Sequence, residues 1–437
     1  MGLADIAMVS RLGPIPLAAT GMGSLILWII MSMGIGLRTG VQTVSSRRLG
    51  QKSYLQCSNA LYNGILIAVS LSIPFSVLAI FYVNEICNIF LNDPEVISLC
   101  VDYMYIGCFS IVFVLISFAF QGFYASIEET KVHMVVTICS NILNVYLNAG
   151  MIYGSEKIIE YLTGIGLPWI SFLWKWMHFP SWGVKGAAIA TLIASIWMVL
   201  HYCYFLLKPK IQKFKPCKFE FNINKIIQQL QLGLPVGIQE MLTMIGFSIF
   251  YKIIGIIGTL ELAASHVILN IAHASFMPAV GIGMAASTLI GKFLGKEEYA
   301  NAEQTVKEAV KWALLIMGTG GLVFIFLPSI IVPIFTNDIQ IVQLAIPCLK
   351  IVGVLQFFDA VGLTLFFVLT GAGNTRFPAL VNMSICWVLF LPLTYYLCIV
   401  LNMGIIGAWL GFSAWIIPFA IIMALKVKNG SWKHIKV

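Results

Sequence analysis

Three carboxylates stand well inside apolar stretches of this chain: Asp5, Glu240 and Asp359. An ionised carboxyl in the middle of a bilayer costs ~2.5–3.5 kcal/mol on insertion scales, so each one needs a reason to be there. Asp5 has candidate company in Asn141, Asn144 and Asn148, whose i, i+3, i+7 spacing puts the amides on one helix face. Singly, such amides are interhelical glue worth about 0.6 kcal/mol apiece. Taken with a lone acid, they can instead offer carbonyl oxygens to a hard monovalent cation such as Na⁺. Asp359 follows Gln356 by one turn, amid Phe357, Phe358, Phe366 and Phe367. Glu240 lies beside Gln239, five residues past Pro235. A carboxyl among aromatics can exchange its charge for a proton, as a proton carrier requires. The plainer reading is a carboxyl that lines a polar cavity without titrating. His266, Asn270 and His273 also share a face, and read as hydrogen-bonded packing residues although histidine titrates near neutrality.

Catalytic signatures are missing. The chain has no HExxH, no GxSxG and no P-loop with its lysine, so it does not read as an enzyme and ATP is not an evident energy source. Gly34-Ile-Gly36 and Gly281-Ile-Gly283 fall inside apolar helices, where small residues let helices approach rather than cradle phosphates. The ten cysteines are scattered without a CxxC or a Cys/His cluster, and read as small buried hydrophobes rather than as a metal site or disulfide framework.

The elements that must position these residues follow from composition. Hydrophobic residues make up 59% and charged residues 10%, which is the balance of a polytopic membrane protein. After a first short segment, apolar windows fall near 17–40, 58–83, 99–122, 132–153 and 183–207, then near 228–255, 262–290, 306–334, 344–371, 378–401 and 404–426. From Met1 to the polar break at Arg11 is about half of the ~20 residues a crossing helix needs, so the first of twelve helices is expected to be truncated. Gly154 to Trp182 carries Trp169, Trp174, Trp176 and Trp182, and is expected to form a flap at headgroup level. Pro74, Pro235, Pro278, Pro328, Pro392 and Pro418 are expected to kink their spans around a wet central cavity.

A shift of 245 positions brings Gly13, Leu17, Ala18, Ala19, Ile26, Gly36, Thr43, Leu49, Gly50 and Tyr54 onto identical residues from Gly258 to Tyr299. Asn92-Asp93 likewise meets Asn337-Asp338. This is a tandem repeat. It predicts an all-α fold of two six-helix lobes, 1–207 and 226–437, joined by the hydrophilic segment 208–225. Even numbers of spans relate the lobes by a pseudo-twofold axis along the membrane normal. Twenty of the 26 Lys and Arg fall on the side of that linker, which places linker and C-terminus in the cytoplasm of a cell-membrane protein. That distribution also explains the net charge of +8 without a nucleic-acid partner.

MGLADIAMVSRLG followed by LAA, then VSSRRLGQ, and later LAASHVILNIAHASFMPAVGIG with LIGKFLGK, resemble the multidrug and toxic compound extrusion family, MATE, with the NorM-like and DinF-like branches both open. The resemblance runs along almost the whole chain. It implies an antiporter that exports organic cations and other amphipathic compounds in exchange for Na⁺ or H⁺, with no cofactor beyond that ion, and a monomer is expected. Asp5 matches the first-helix acid implicated in cation binding. Asn144 and Asn148 match an Asn and an acid-or-amide on the fifth helix, and Asp359 matches a tenth-helix acid of the NorM-like branch. Position 148 is Asn where some relatives have Asp, and the family's seventh-helix Glu falls at Thr243, so Glu240 is a displaced counterpart. Gln356, Phe357, Phe358 and Asn141 are the candidates for lining a substrate cleft. The alternative is a flippase for a lipid-linked precursor, which would want a basic cavity where this chain places acids.

Overall fold

The computed structural model describes residues 1–435 apart from 165, 177 and 217. Cys217 therefore lies outside the described residues, and the nine other cysteines are free thiols. Among the described residues every regular element is a helix. A short helix α1 (Gly2–Val9) precedes eleven helices long and apolar enough to cross a membrane. These are α2 (Pro14–Gly50), α3 (Tyr54–Phe81), α4 (Pro94–Ser126), α5 (Thr130–Tyr153), α6 (Val184–Leu206) and α7 (Ile223–Ile257), then α8 (Thr259–Gly295), α9 (Tyr299–Phe326), α10 (Ile339–Gly371), α11 (Arg376–Val400) and α12 (Gly404–Lys428).

Several helices begin before their apolar windows because polar caps start them. The repeated Asn-Asp pair is such a device: Asp93 accepts from the backbone N–H of Glu95 at 2.9 Å and Asp338 from that of Gln340 at 2.8 Å. Pro74, Pro235, Pro278 and Pro418 lie inside helices as expected. Pro328 does not kink a span. It opens a separate helix, Pro328–Phe335, beyond α9, where a residue lacking an N–H costs nothing in the first turn. Pro392 sits between two π-helical stretches of α11, Ile385–Phe390 and Tyr396–Val400, where the hydrogen-bond ladder is already loosened.

The segment after α5 contains two short helices, Ser155–Gly164 and Phe172–Lys175. Its tryptophans do not act alike. Trp169, Trp176 and Trp182 are exposed, whereas Trp174 turns inward onto Tyr146, ring centroids 5.1 Å apart. Tyr146 holds the segment down by donating its hydroxyl to the Leu173 carbonyl at 2.6 Å.

Buried apolar clusters follow the two halves of the chain, one running from Val9 to Phe214 and others between Val236 and Trp432. The halves meet along α2 and α7, where a Cβ on Gly36 would lie 2.3 Å from the Gly233 carbonyl oxygen, so only glycine permits this approach. Toward the linker side the seam is closed by side chains that reach across it. Thr43 Oγ1 donates to the Thr370 carbonyl at 2.9 Å, and Thr288 Oγ1 donates to the Ala125 carbonyl at 3.2 Å. Both partners of the first bond stand 245 positions from both partners of the second. Arg47 Nη2 donates to the carbonyls of Ala372 and Ile435 at 3.2 and 2.8 Å. Lys292, at the same offset from Arg47, pairs with Glu128 at 2.5 Å. Gly50 and Gly295 seal the end, since a Cβ at either would sit 2.1 Å from Lys292 O or 2.3 Å from Arg47 O.

Candidate functional site

Asp5 is fully buried in α1, and its carboxylate gathers donors from three other helices. Asn148 Nδ2 donates to Oδ1 at 2.7 Å and Asn144 Nδ2 to the same oxygen at 3.4 Å. Thr191 Oγ1 of α6 donates to Oδ2 at 2.7 Å, and Tyr103 OH of α4 approaches that oxygen at 3.3 Å. The donors are themselves held: Asn144 Nδ2 lies 2.9 Å from Thr191 Oγ1, Asn148 Nδ2 lies 3.3 Å from Asn144 Oδ1, and Tyr103 OH lies 3.0 Å from Ser24 Oγ. A carboxylate accepts only, so each of these donors favours its charged form against the cost of burial.

One atom of the cluster is left over. Asn148 Oδ1 is buried and has no hydrogen-bond partner. An orphaned carbonyl oxygen beside a carboxylate is costly unless something positive completes it. The amides and the Thr191 hydroxyl can turn, exchanging donor for acceptor. Asp5, Asn144, Asn148 and Thr191 can thus present oxygens to a hard monovalent cation, or hold Asp5 with a proton.

Asn141 does not join them. It lies on the same face of α5, but its Nδ2 donates to the Thr137 carbonyl at 2.8 Å and its Oδ1 accepts from the Met1 amine at 2.9 Å. Among the described residues no hydrogen bond links the second-half carboxyls to the Asp5 cluster. Asp359 on α10 is half-buried, and among the described residues no cation pairs with it. Gln356 is buried and accepts from Ser275 Oγ of α8 at 3.2 Å. Phe357 packs over Gly318 and Gly321 of α9, while Phe358 is 36% exposed. Glu240 on α7 lies within electrostatic reach of Arg38 on α2, a basic side chain whose Nε is buried without a partner. His266 stacks on Tyr251 with centroids 4.4 Å apart, in keeping with a packing role.

The MatE family profile matches residues 1–149 and 235–396, which is most of the chain and includes Asp5, Asn144, Asn148, Glu240 and Asp359. The chain belongs to the MATE family. It is similar to a probable multidrug resistance protein NorM of Thermotoga maritima, 24% identical over 99% of this chain and 89% of that one. Its fold matches the crystal structure of MATE in the bent conformation, with a TM-score of 0.84 at 18% identity over 99% of this chain and 91% of that one. It also matches the outward-facing conformation of a multidrug resistance MATE family transporter at a TM-score of 0.84 and 19% identity, covering 99% and 92% of the two chains. This MATE protein is accordingly a multi-pass membrane transporter and not an enzyme.

Within this MATE fold, three residues of interest escaped the reading of the sequence. Thr191 carries no local signal, being one of several hydroxyls in a mainly apolar helix. Tyr103 had one: with Ser110 and Ser117 it forms a buried polar file at seven-residue spacing along α4. Arg38 was visible as a cation near the end of the 17–40 window, but no local pattern tells that it comes within electrostatic reach of Glu240.

Proposed function

We propose that this protein is an antiporter that exports organic cations or other amphipathic compounds in exchange for Na⁺ or H⁺. The lobes 1–207 and 226–437 rock about the 208–225 linker, which lies with the C-terminus in the cytoplasm of a cell membrane, and the protein works as a monomer. The observation that carries this reading is the Asp5 cluster: a buried carboxylate held by four donors, with a buried carbonyl oxygen left unpartnered beside it. The name of the Thermotoga relative, a probable multidrug resistance protein, supports the substrate class. The seam supports the motion, because the Thr43 and Thr288 bonds repeat at the 245-residue offset and closing one side with contacts from both halves suits rigid lobes.

An ion drives export only through its differential affinity for the two states. One monovalent cation moving down 100 mV supplies ~2.3 kcal/mol. A tenfold concentration gradient adds about 1.4 kcal/mol. Asp5, with Asn144 and Asn148, is the first candidate for the ion; Asp359 and Glu240 are the second, with Gln356 and Phe358 facing substrate. A flippase for a pyrophosphate lipid would need a basic cavity, and Arg38 is a single cation offset by Glu240. The test is efflux of a fluorescent cation from proteoliposomes under Na⁺ and pH gradients imposed separately. Asp5→Asn is expected to abolish gradient-driven export while leaving the protein folded. Export driven by neither gradient, or untouched in both Asp5→Asn and Asp359→Asn, rules the assignment out.

A further inference from the structure

On the face that carries the linker and the C-terminal tail, a shallow cavity of about 500 Å³ opens at the feet of α7, α11 and α12. Its wall includes Gln228, Gln231, Asn374, Arg376, Lys426 and Ser431, and among the described residues no carboxylate lines it. Some cations of this face are neutralised, Lys210 by Glu129, Lys292 by Glu128 and Lys433 by Glu303, while others such as Lys428 stand exposed outside the cavity. Arg376 and Lys426 belong to no ion pair among the described residues. Lys426 instead holds its ammonium 4.8 Å from the centre of the Phe377 ring. Arg376 opens the first turn of α11, and Thr375 before it makes no side-chain capping bond; Pro378 lacks an N–H and Ala379 donates to the Thr375 carbonyl at 3.3 Å, which leaves the N–H groups of Arg376 and Phe377 open to a ligand.

Two uncompensated cations, two open N–H groups at a helix start and a ring of amide and hydroxyl donors share one concavity. This donor set suits a tetrahedral oxyanion, which takes a guanidinium on two oxygens and an ammonium on a third. A cation would meet like charge there, and a neutral ligand would leave both charges unanswered. We propose that this cavity binds a phosphate-bearing anion through Arg376 and Lys426. Its place, where the ends of three spans leave the bilayer, admits either an anionic lipid headgroup or a soluble phosphate.

The full-length protein in neutral detergent is titrated with dioleoylphosphatidylglycerol, dioleoylphosphatidylcholine and inorganic phosphate, with adducts counted by native mass spectrometry. Binding of phosphatidylglycerol, of phosphate or of both is expected, with phosphatidylcholine weaker because its choline offsets the charge. Affinity should fall about tenfold in Arg376→Gln or Lys426→Gln and about a hundredfold in the pair, as loss of one charge-assisted bond at each position implies. Lys426→Arg keeps the charge and should keep binding, and Lys428→Gln, an exposed cation outside the cavity, should change nothing. Phosphatidylglycerol bound without competition from phosphate assigns the headgroup; competition by phosphate assigns the soluble anion. The proposal is overturned if neither anion binds, if the double variant binds as tightly as the parent, or if Lys428→Gln loses as much. Because the readout is binding, its failure is separate from failure of the antiporter reading.

Discussion

Replacing Thr191 by valine removes one hydroxyl from the Asp5 cluster and keeps the outline of the side chain. That hydroxyl donates to Asp5 Oδ2 at 2.7 Å and lies 2.9 Å from Asn144 Nδ2. Without it, Oδ2 keeps only the Tyr103 hydroxyl at 3.3 Å. A hydrogen bond to a charged group contributes about 1.5–3 kcal/mol, roughly 10–150-fold in an equilibrium constant. The sign of the effect depends on the coupling ion. For Na⁺, Thr191 is a ligand oxygen lost, and the half-saturating Na⁺ concentration rises by about that factor. For H⁺, the lost donor penalises the empty carboxylate and not the protonated acid, so the half-saturating proton concentration falls by about the same factor. Efflux from proteoliposomes, titrated with Na⁺ at fixed pH and with protons in the absence of Na⁺, reads both. Thr191→Ser returns the hydroxyl and should return the parent curve. If Thr191→Val is folded and both titrations superimpose on the parent, Asp5 does not carry the coupling ion and the argument from its hydrogen bonds fails.

Gly50→Ala would put a methyl carbon 2.1 Å from the Lys292 carbonyl oxygen, so the closed seam should lose ~1–3 kcal/mol and amides at the ends of α2 and α8 should exchange faster; unchanged exchange would contradict the seal. Thr43→Val removes one bond across that seam and Thr288→Val removes two, because Thr288 Oγ1 also accepts from Gln42 Nε2 at 2.9 Å; at about 0.5–1.5 kcal/mol per bond the same exchange experiment should show the larger effect at Thr288, and equal effects would contradict the geometry. Phe250→Ala empties the middle of a buried aromatic cluster and should cost ~3–5 kcal/mol, seen as a lowered Tm with ion coupling unchanged. Arg38→Gln should destabilise the protein less in a Glu240→Gln background than alone, by a coupling of about 0.5–3 kcal/mol in thermal unfolding; an additive double variant would mean the two charges do not interact.

How far the sequence could be read depended on whether a signal was local. The helix starts at Asp93 and Asp338 and the three amides on α5 are patterns within a few residues, and they were legible. So was the 245-residue offset, because glycines such as Gly50 and Gly295 are held to their type by backbone approaching within 2.1–2.3 Å of a Cβ. Which of the α5 amides would meet Asp5 was not legible. Helix periodicity gives direction and not height, so Asn141 shares the face and misses the acid. Thr191 and Tyr103 reach Asp5 across 186 and 98 residues of chain, and only packing brings such positions together. Proline was ambiguous for a related reason: it stands in a helix interior at Pro235 and in a first turn at Pro328.

The sequence repeat also exposes where the two halves part company, and that difference bears on coupling. Position 5 carries the buried acid, and position 250, at the repeat offset, carries a phenylalanine packed against Phe390 and Trp409 with centroids 5.3 and 5.8 Å away. An aromatic cluster has no oxygen to offer an ion, and its packing resists the small rearrangements that turning amides allow around Asp5. The seam, by contrast, is built from matched contacts: Thr43 with Thr370, Thr288 with Ala125, Gly50 against Gly295. Under the proposed antiport, an ion at Asp5 would act on one half only, and its binding free energy would reach the other half through a seam whose contacts are in part repeated in both halves. Under this reading, loosening the seam at Gly50 should change the balance of the two states without changing the intrinsic ion affinity, whereas Thr191→Val should change the affinity and leave the seam's exchange rates alone.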